Sequence, residues 1–411
     1  MNTHIAPMEK TYDIVVVGGG LNGSTLALGA AKLGLRVLVI DALPDHVQVA
    51  ADFDGRSYAL ALTSVRLLNA IGIWESIAAT AQPMLDIKVF DGAVGATPSS
   101  FFMHFDHTEI EDGPMGHMVE DRHLRPVMQR AIRAEDNITY LSNTKVVDQT
   151  LTDTGITVTC DTGDHFHAQL VIGADGRGSQ TALRAGIGRT GWKYGQTALV
   201  CAIEHEHPHN GVAYQYFMPA GPLAILPLSG NRSSIVWSET HENAKIIMAL
   251  DDEDYLEILR PRFGSFLGQI ALAGQRFSYP LDLTMAKAFV APRVALIGDA
   301  AHGVHPIAGQ GLNAGLRDIA ALCDVIQSAK ERGEDFASVA VLNRYQEWRR
   351  FDNHSLAFAT DSFNKLFSND NPILRIGRDI GMGIVNAFPQ VRRSFIREAA
   401  GLTGDLPRWM R

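Results

Sequence analysis

The sequence predicts an α/β protein: a parallel sheet flanked by helices, an inserted antiparallel-sheet domain and a helical C-terminal tail. Three observations carry that prediction. A short apolar strand runs into a glycine-rich turn, a helix and a second apolar strand within residues 12–41. Aromatic residues, glycines and alternating apolar positions take over around 87–117 and again around 198–238. From Val341 onward the chain reads as helix and becomes basic.

The elements follow in chain order. Tyr12–Val17 is a continuous β-branched run ended by three glycines, as expected of a strand buried on both faces. Leu21–Leu33 is rich in Ala and Leu, and Gly34 is placed to end that helix. Arg36–Ile40 is a second strand ending at Asp41, and the unit has the length of a parallel crossover. Thr63–Ile71 predicts a helix with Leu67, Leu68 and Ile71 on one face. Lys88–Phe90 and Phe101–Met103 predict an antiparallel layer, Leu124–Arg133 a helix, and Thr157–Thr159 and Leu170–Ile172 strands. Val212–Phe217, Leu223–Leu228 and Ser234–Trp237 predict a second antiparallel set. Arg293–Ile297 reads as a parallel-type strand and Leu312–Ala329 as the helix after it. The expected division is one discontinuous domain over 1–75, 111–190 and 281–340, a second over 76–110 and 191–280, and a helical region over 341–411.

Composition narrows the class. With 411 residues, 46% hydrophobic and 20% charged, the chain can bury a large core without disulfides or metals. A net charge of −9 argues against a nucleic-acid partner, whose phosphates call for clustered Lys and Arg. Cys160, Cys201 and Cys323 are far apart and form no C-x-x-C pair, which suits a reducing compartment and offers no zinc site. Met1–Lys10 is polar, and no apolar run reaches the ~18 residues of a membrane span. The expectation is a cytoplasmic enzyme.

Gly18-Gly19-Gly20-Leu21-Asn22-Gly23 fits G-x-G-x-x-G, directly after a predicted strand and at the start of a predicted helix. Gly18 permits the tight turn, Gly20 lets a pyrophosphate approach the backbone, and Gly23 allows close helix–strand packing. The phosphates then meet the positive end of the helix. Asp41 follows Gly18 by 23 residues, placed to accept hydrogen bonds from an adenosine ribose. This is a dinucleotide signal that does not by itself choose between FAD and NAD. A second segment, Ala295–His302 followed by Pro306–Gly315, supplies another strand, turn, acid and glycine pair before a helix. A nicotinamide dehydrogenase has no need of it, whereas a large cofactor held at both ends does. Gly298 and Asp299 are then expected near the ribityl chain of FAD. The amides of Gly309, Gly311, Leu312 and Asn313 are expected near the flavin pyrimidine edge, where they stabilise its negative charge on reduction.

With Gly173-Ala174-Asp175-Gly176 between these two segments, the chain resembles the para-hydroxybenzoate-hydroxylase-like (class A) FAD monooxygenases from about residue 10 to 400. The run Gly298–Asn313, with Asp54–Leu60, Met118–Arg122 and Gly221–Leu228, resembles the ubiquinone-biosynthesis hydroxylase branch specifically. The resemblance implies a Rossmann-like FAD domain, NAD(P)H as co-substrate, and O2 adding at flavin C4a to give a hydroperoxide that oxygenates an aromatic ring. It places Arg56 along the FAD pyrophosphate, Arg125 beside the flavin-facing helix, and Asp175 near the pyrophosphate where NAD(P)H docks. Arg56 also reads as a surface arginine, and Asp175 as a plain turn residue. Pro306 would set its backbone beside C4a, with His305 adjoining it as the second catalytic position.

Other residues are weighed the same way. His302 and His305 read as turn histidines beside the cofactor rather than a metal pair. Glu204–His209 reads as a solvated hairpin end, because three histidines along a strand spread over ~13 Å and cannot close on one zinc. Tyr214, Phe217, Leu226, Pro227 and Trp237 are candidates for an apolar pocket, with core packing as the plainer alternative. Such a pocket suits a polyprenylated phenol. The tail arginines Arg344, Arg349, Arg350, Arg375, Arg378, Arg392, Arg393 and Arg397 then suit contact with anionic lipid at the inner membrane, a biosynthetic complex or a second copy of the chain; a solvated basic face is the alternative. The resulting expectation is an FAD-dependent hydroxylase of a ubiquinone precursor. Its rivals are a hydroxylase of a small soluble aromatic acid, an FAD-holding scaffold subunit, and a flavin reductase that saturates prenyl chains.

Overall fold

The computed structural model describes residues 10–48, 50, 56–91, 102–110, 112–304, 309–367 and 388–411. Strand β1 (Lys10–Val17), helix α1 (Leu21–Lys32) and strand β2 (Val37–Ile40) form the parallel crossover that the sequence predicts. Ile14–Val16 and Val37–Val39 have no solvent exposure, so these uninterrupted apolar runs sit in a sheet covered on both faces. Gly34 ends α1 by donating its N–H to Ala31 O at 2.8 Å.

β1 lies inside an eight-stranded sheet. It pairs in parallel with β2 on one side and with His165–Gly173 on the other. His165–Gly173 then pairs in parallel with Val294–Leu296, and β2 with Ile138–Leu141. The register is specific: Val17 lies opposite Gly173, and Gly173 opposite Leu296. The carboxyl ends of three strands from distant parts of the chain therefore end level with one another, the edge at which open α/β sheets hold ligands. Helix Gln310–Glu331 packs against both α1 and the long helix Val339–Phe367, which closes the main core.

A nine-stranded sheet forms the second layer, with Arg189–His205, Val212–Met218, Gly221–Leu228, Arg232–Thr240 and Phe277–Ala286 as its main strands. Helices His241–Met248 and Asp252–Phe263 cover one face around Trp237, Tyr255 and Phe263. A three-stranded sheet of Ser57–Ala61, Gly116–Glu120 and Gln82–Met84 packs against strand Gly221–Leu228 of the nine-stranded sheet. Glu120 joins it to the nine-stranded sheet through two 3.0 Å bonds from Arg232.

Three features differ from expectation. Asp86–Asp91 pairs antiparallel with Phe102–Asp106 but parallel with Val212–Met218, so the inserted layer is mixed. Arg189–His205 is a 17-residue strand that starts well before Ala198. Polar residues and glycines at its start, with a register shift between Lys193 and Gln196, conceal its alternation. The helix expected from Leu124 begins at Asp121, whose polar first turn lacks apolar periodicity.

Close packing of α1 on β1 requires Gly23, where a Cβ would lie 1.9 Å from Gly18 O and 3.2 Å from Val16 Cγ1. We expect Gly23→Ala to cost about 2 kcal/mol or more, because backbone rather than a movable side chain meets the new methyl. Thermal unfolding of the FAD-free protein checks this, and an unchanged Tm contradicts it.

Candidate functional site

The site grows from the three level strand ends. Val17 leads into Gly18, whose φ of +103° and distance of 2.5 Å from its would-be Cβ to Ala174 O exclude a larger residue. Asp41, buried at the end of β2, accepts from Gly19 N–H at 2.5 Å and from Leu43 N–H at 2.7 Å. It thereby orders the glycine turn, while an ionised carboxylate retains lone pairs for a further donor. Gly20 caps α1 without a side-chain bond, and a Cβ there would meet nothing within 4 Å. Protein packing does not demand glycine at this position; the open space in front of it suits a ligand. The first N–H groups of α1 have no acceptor within the helix and face the same end.

The second strand end continues through Ala174, whose N–H donates to Val17 O at 2.8 Å. Asp175 accepts from Ser179 Oγ at 2.5 Å and from Thr181 N–H and Oγ1 at 3.0 Å each. Its carboxylate thus organises the turn into helix Gln180–Arg184, which is the plainer of the two expectations for this residue.

At the third strand end, Gly298 takes φ +55° and donates its N–H to Asp318 at 3.1 Å. Arg189 donates to Asp299 O at 3.1 Å and also to Ala300 O. Arg177 reaches the Asp299 carboxylate at 3.2 Å and Asp282 at 2.5 Å. Burial lowers the Arg189 pKa, and the nearby Asp299 opposes that shift. Arg177 and Arg189 carry no motif signal; only the fold brings them to this turn. Gly309 is the N-cap of helix Gln310–Glu331, and a Cβ at Gly311 would meet nothing within 4 Å. The Asn313 side chain is fully occupied by protein: it accepts from Ala61 N–H and Ser64 Oγ at 2.9 and 2.7 Å, and donates to Ala59 O and Gly309 O at 2.8 and 3.2 Å. It therefore ties the helix start to the Ser57–Ala61 strand, leaving backbone amides of the first turn as its route to a ligand.

Asn22 links the first and third segments. A Cβ on Gly298 would lie 2.1 Å from Asn22 Nδ2, and one on Gly315 would lie 2.7 Å from the same atom. Asn22 Oδ1 is buried without a hydrogen-bond partner. The open positions at Gly20 and Gly311, the amides at the start of α1 and this buried acceptor together fit a long dinucleotide cofactor.

The other predicted residues are distributed more widely. Arg56 is exposed, with its guanidinium 5.4 Å from the Tyr279 ring. Arg125 is buried and bonded to Asp121 at 2.9 and 2.7 Å, while Tyr58 OH donates to Asp121 at 2.8 Å. His305 and Pro306 lie outside the described residues. His302 is buried and bonded to Asp318 at 2.5 Å, a protein contact rather than a metal contact. Among the described residues no cluster could hold a metal ion.

The five pocket candidates do not converge. Trp237 and Tyr214 lie on the helix-covered face of the nine-stranded sheet. Phe217 belongs to a cluster with Met103, Phe105 and Ile396, and Leu226 to one with Met84 and Met118. Pro227 is buried opposite Ser233. Alternation along each strand sends neighbours to opposite faces, so a list drawn from consecutive strands mixes both. The Glu204–His209 expectation also needs correcting: His205 and His209 are buried. His205 bonds Ser233 Oγ at 3.0 Å and His209 bonds Leu228 O at 2.7 Å. Nor is the tail a uniform basic face. Arg349 is buried, Arg344 pairs with Glu334, and Arg392 pairs with Glu109 at 2.7 Å. Arg350 and Arg393 are exposed, and Arg375 and Arg378 lie outside the described residues.

The chain belongs to the FAD binding domain family, whose match spans residues 11–355. It is 42% identical to the ubiquinone hydroxylase UbiL of Rhodospirillum rubrum, over 98% of this chain and 93% of that one. It is 34% identical to the Escherichia coli 3-demethoxyubiquinol 3-hydroxylase, over 96% and 100% of the two chains. Human ubiquinone biosynthesis monooxygenase COQ6 is 31% identical, over 96% and 94%. The fold of this chain is similar to that of p-nitrophenol 4-monooxygenase PnpA from Pseudomonas putida, with a TM-score of 0.79, 21% identity, and 97% and 99% of the chains covered.

Gly20→Ala separates ligand space from packing. Without FAD we expect stability within about 1 kcal/mol of the parent, the range of an N-cap exchange. FAD affinity should fall at least ~10-fold, since a methyl occupies the phosphate approach. Paired Tm and flavin-fluorescence titrations check this; unchanged affinity contradicts it.

Proposed function

We propose that this chain is an FAD-dependent monooxygenase that hydroxylates the aromatic ring of a polyprenylated phenol in ubiquinone biosynthesis, using NAD(P)H and O2. The observation that carries this reading is the level register of Val17, Gly173 and Leu296, which sets the three motif turns side by side in a chain whose relatives are ubiquinone hydroxylases. Bound FAD would supply electron transfer from NAD(P)H to O2 and deliver one oxygen atom to the ring. The chain's own residues would bind and orient it. Gly18, Gly20 and Gly23 bring the pyrophosphate to the α1 amides, Asp41 meets the adenosine ribose, and Arg56 lies along the phosphates. Gly298 and Asp299 hold the ribityl end, and the Gly309, Gly311, Leu312 and Asn313 amides receive charge at the pyrimidine edge. Pro306 and His305, which follow the Gly298 turn in sequence, would face the reacting atoms. Asp175 acts in this reading through the turn it organises, and Arg125 through Asp121.

The substrate would enter between the two large sheets, where two of the five pocket candidates, Phe217 and Leu226, lie and Met84 and Met118 add apolar surface. A prenylated phenol partitions into membranes, and exposed Phe351, Phe358, Phe388 and Val391 on the C-terminal helices, with Arg350 and Arg393, support a peripheral contact at the cytoplasmic face of the inner membrane. A partner subunit of a biosynthetic complex or a second copy of the chain would cover the same side chains. No helix among the described residues is long and apolar enough to cross a membrane.

The purified protein should be yellow, and a prenylated phenol should stimulate its NAD(P)H oxidation with O2 consumed and hydroxylated product formed. Mass spectrometry of the quinone precursors that accumulate in a deletion strain provides the cellular counterpart. Colourless protein that cannot be reconstituted with FAD contradicts the reading. Normal quinone content in the deletion strain favours a small soluble aromatic acid as the substrate.

A further inference from the structure

Beneath the Gly298 turn is a buried charged cluster that none of the motifs announces. Asp318, on helix Gln310–Glu331, has no solvent exposure. Its Oδ2 accepts from Gly298 N–H at 3.1 Å and His302 Nε2 at 2.5 Å. Its Oδ1 accepts from Arg349 Nε at 2.9 Å and Asn353 Nδ2 at 3.1 Å. Arg349, itself only 2% exposed, also donates to Asp352 at 2.6 Å and Asn353 at 3.3 Å. One turn before Arg349 on helix Val339–Phe367, Tyr345 OH donates to Leu296 O at 2.7 Å. Burial alone would raise the Asp318 pKa, but His302 and Arg349 outweigh it and hold the carboxyl down to about 2.

The consequence is geometric. The Asp318 bond to Gly298 N–H fixes the plane of the Ile297–Gly298 peptide, and Arg189 fixes Asp299 O and Ala300 O from the opposite sheet. The turn is held on both sides, so the Asp299 side chain, 41% exposed, emerges in one direction. A buried carboxylate is tolerated only with its counterions in place, and Arg349 comes from the C-terminal helix.

We propose that Asp318 is the positioning residue of the flavin turn and Arg349 its required counterion, which makes helix Val339–Phe367 part of the cofactor site. This rests on the reading that Gly298–Ala300 meets FAD. It goes beyond fold support, because a purely structural ion pair would affect unfolding without affecting a bound flavin.

The test uses the full chain, stripped of FAD and titrated with it, as wild type, Asp318→Asn and Arg349→Lys. In Asp318→Asn the amide NH2 faces two of the four donors, whichever pair it meets. In Arg349→Lys the charge remains but the guanidinium fork is lost. We expect the FAD Kd to rise at least ~10-fold in Asp318→Asn and by a smaller factor in Arg349→Lys, with a shifted visible band for the bound flavin in both. If Asp318→Asn fails to fold, Arg349→Lys decides: weaker FAD binding with an unchanged far-UV spectrum supports the role, and an unchanged Kd and visible band overturn it. Folded variants of both kinds with wild-type Kd and band overturn the positioning role alone. A wild-type chain that takes up no FAD overturns the cofactor reading beneath it.

Discussion

The packing of Asn22 between Gly298 and Gly315 is the contact on which the site depends. Asn22 belongs to the first glycine motif, and the two glycines belong to a segment nearly three hundred positions later in the chain. A methyl at either glycine would press on the Asn22 side chain and force it out of the place where the two segments meet. Strand register brings the turns level, and Asn22 fills the space between them.

Around that contact, charge is arranged asymmetrically. On the inner side, a buried carboxylate with an arginine and a histidine holds the Gly298 turn. On the outer side, Arg177, just after the Gly173–Gly176 turn, and Arg189, from the second sheet, grip Asp299 and Ala300. The Glu120–Arg232 pair plays a comparable joining role elsewhere: burial would raise the Glu120 pKa, but Arg232 and Arg122 lower it overall. The two large sheets are thus joined by ionic contacts at the site as well as by apolar clusters.

The sequence revealed most of what local pattern can encode. The β1–α1–β2 crossover, Gly18, Gly23 and the strand leading to Gly298 are legible because period, glycine spacing and breakers coincide. Arg177, Arg189, Asp318 and Arg349 were not legible as a group, since nothing in their spacing reveals that distant helices and strands bring them to one turn. Conversely, Trp237 and Tyr214 looked like pocket residues because aromatic alternation reads the same on either face of a sheet. Only the helices packed over them show which face they occupy. The burial of His205 and His209 is hidden in the sequence for a related reason: the residues around them are polar, yet the hairpin folds both rings inward.

The central claim is that the early and late glycine segments form one cofactor site. Hydrogen exchange of the FAD-free chain, with and without added FAD, tests it most directly. The account predicts that peptides covering Gly18–Gly23 and Gly309–Gly315 gain protection together at the same FAD concentration, while His241–Phe263 on the far face of the second sheet does not change. Protection confined to one of the two segments, or appearing at a separate concentration for each, would contradict it.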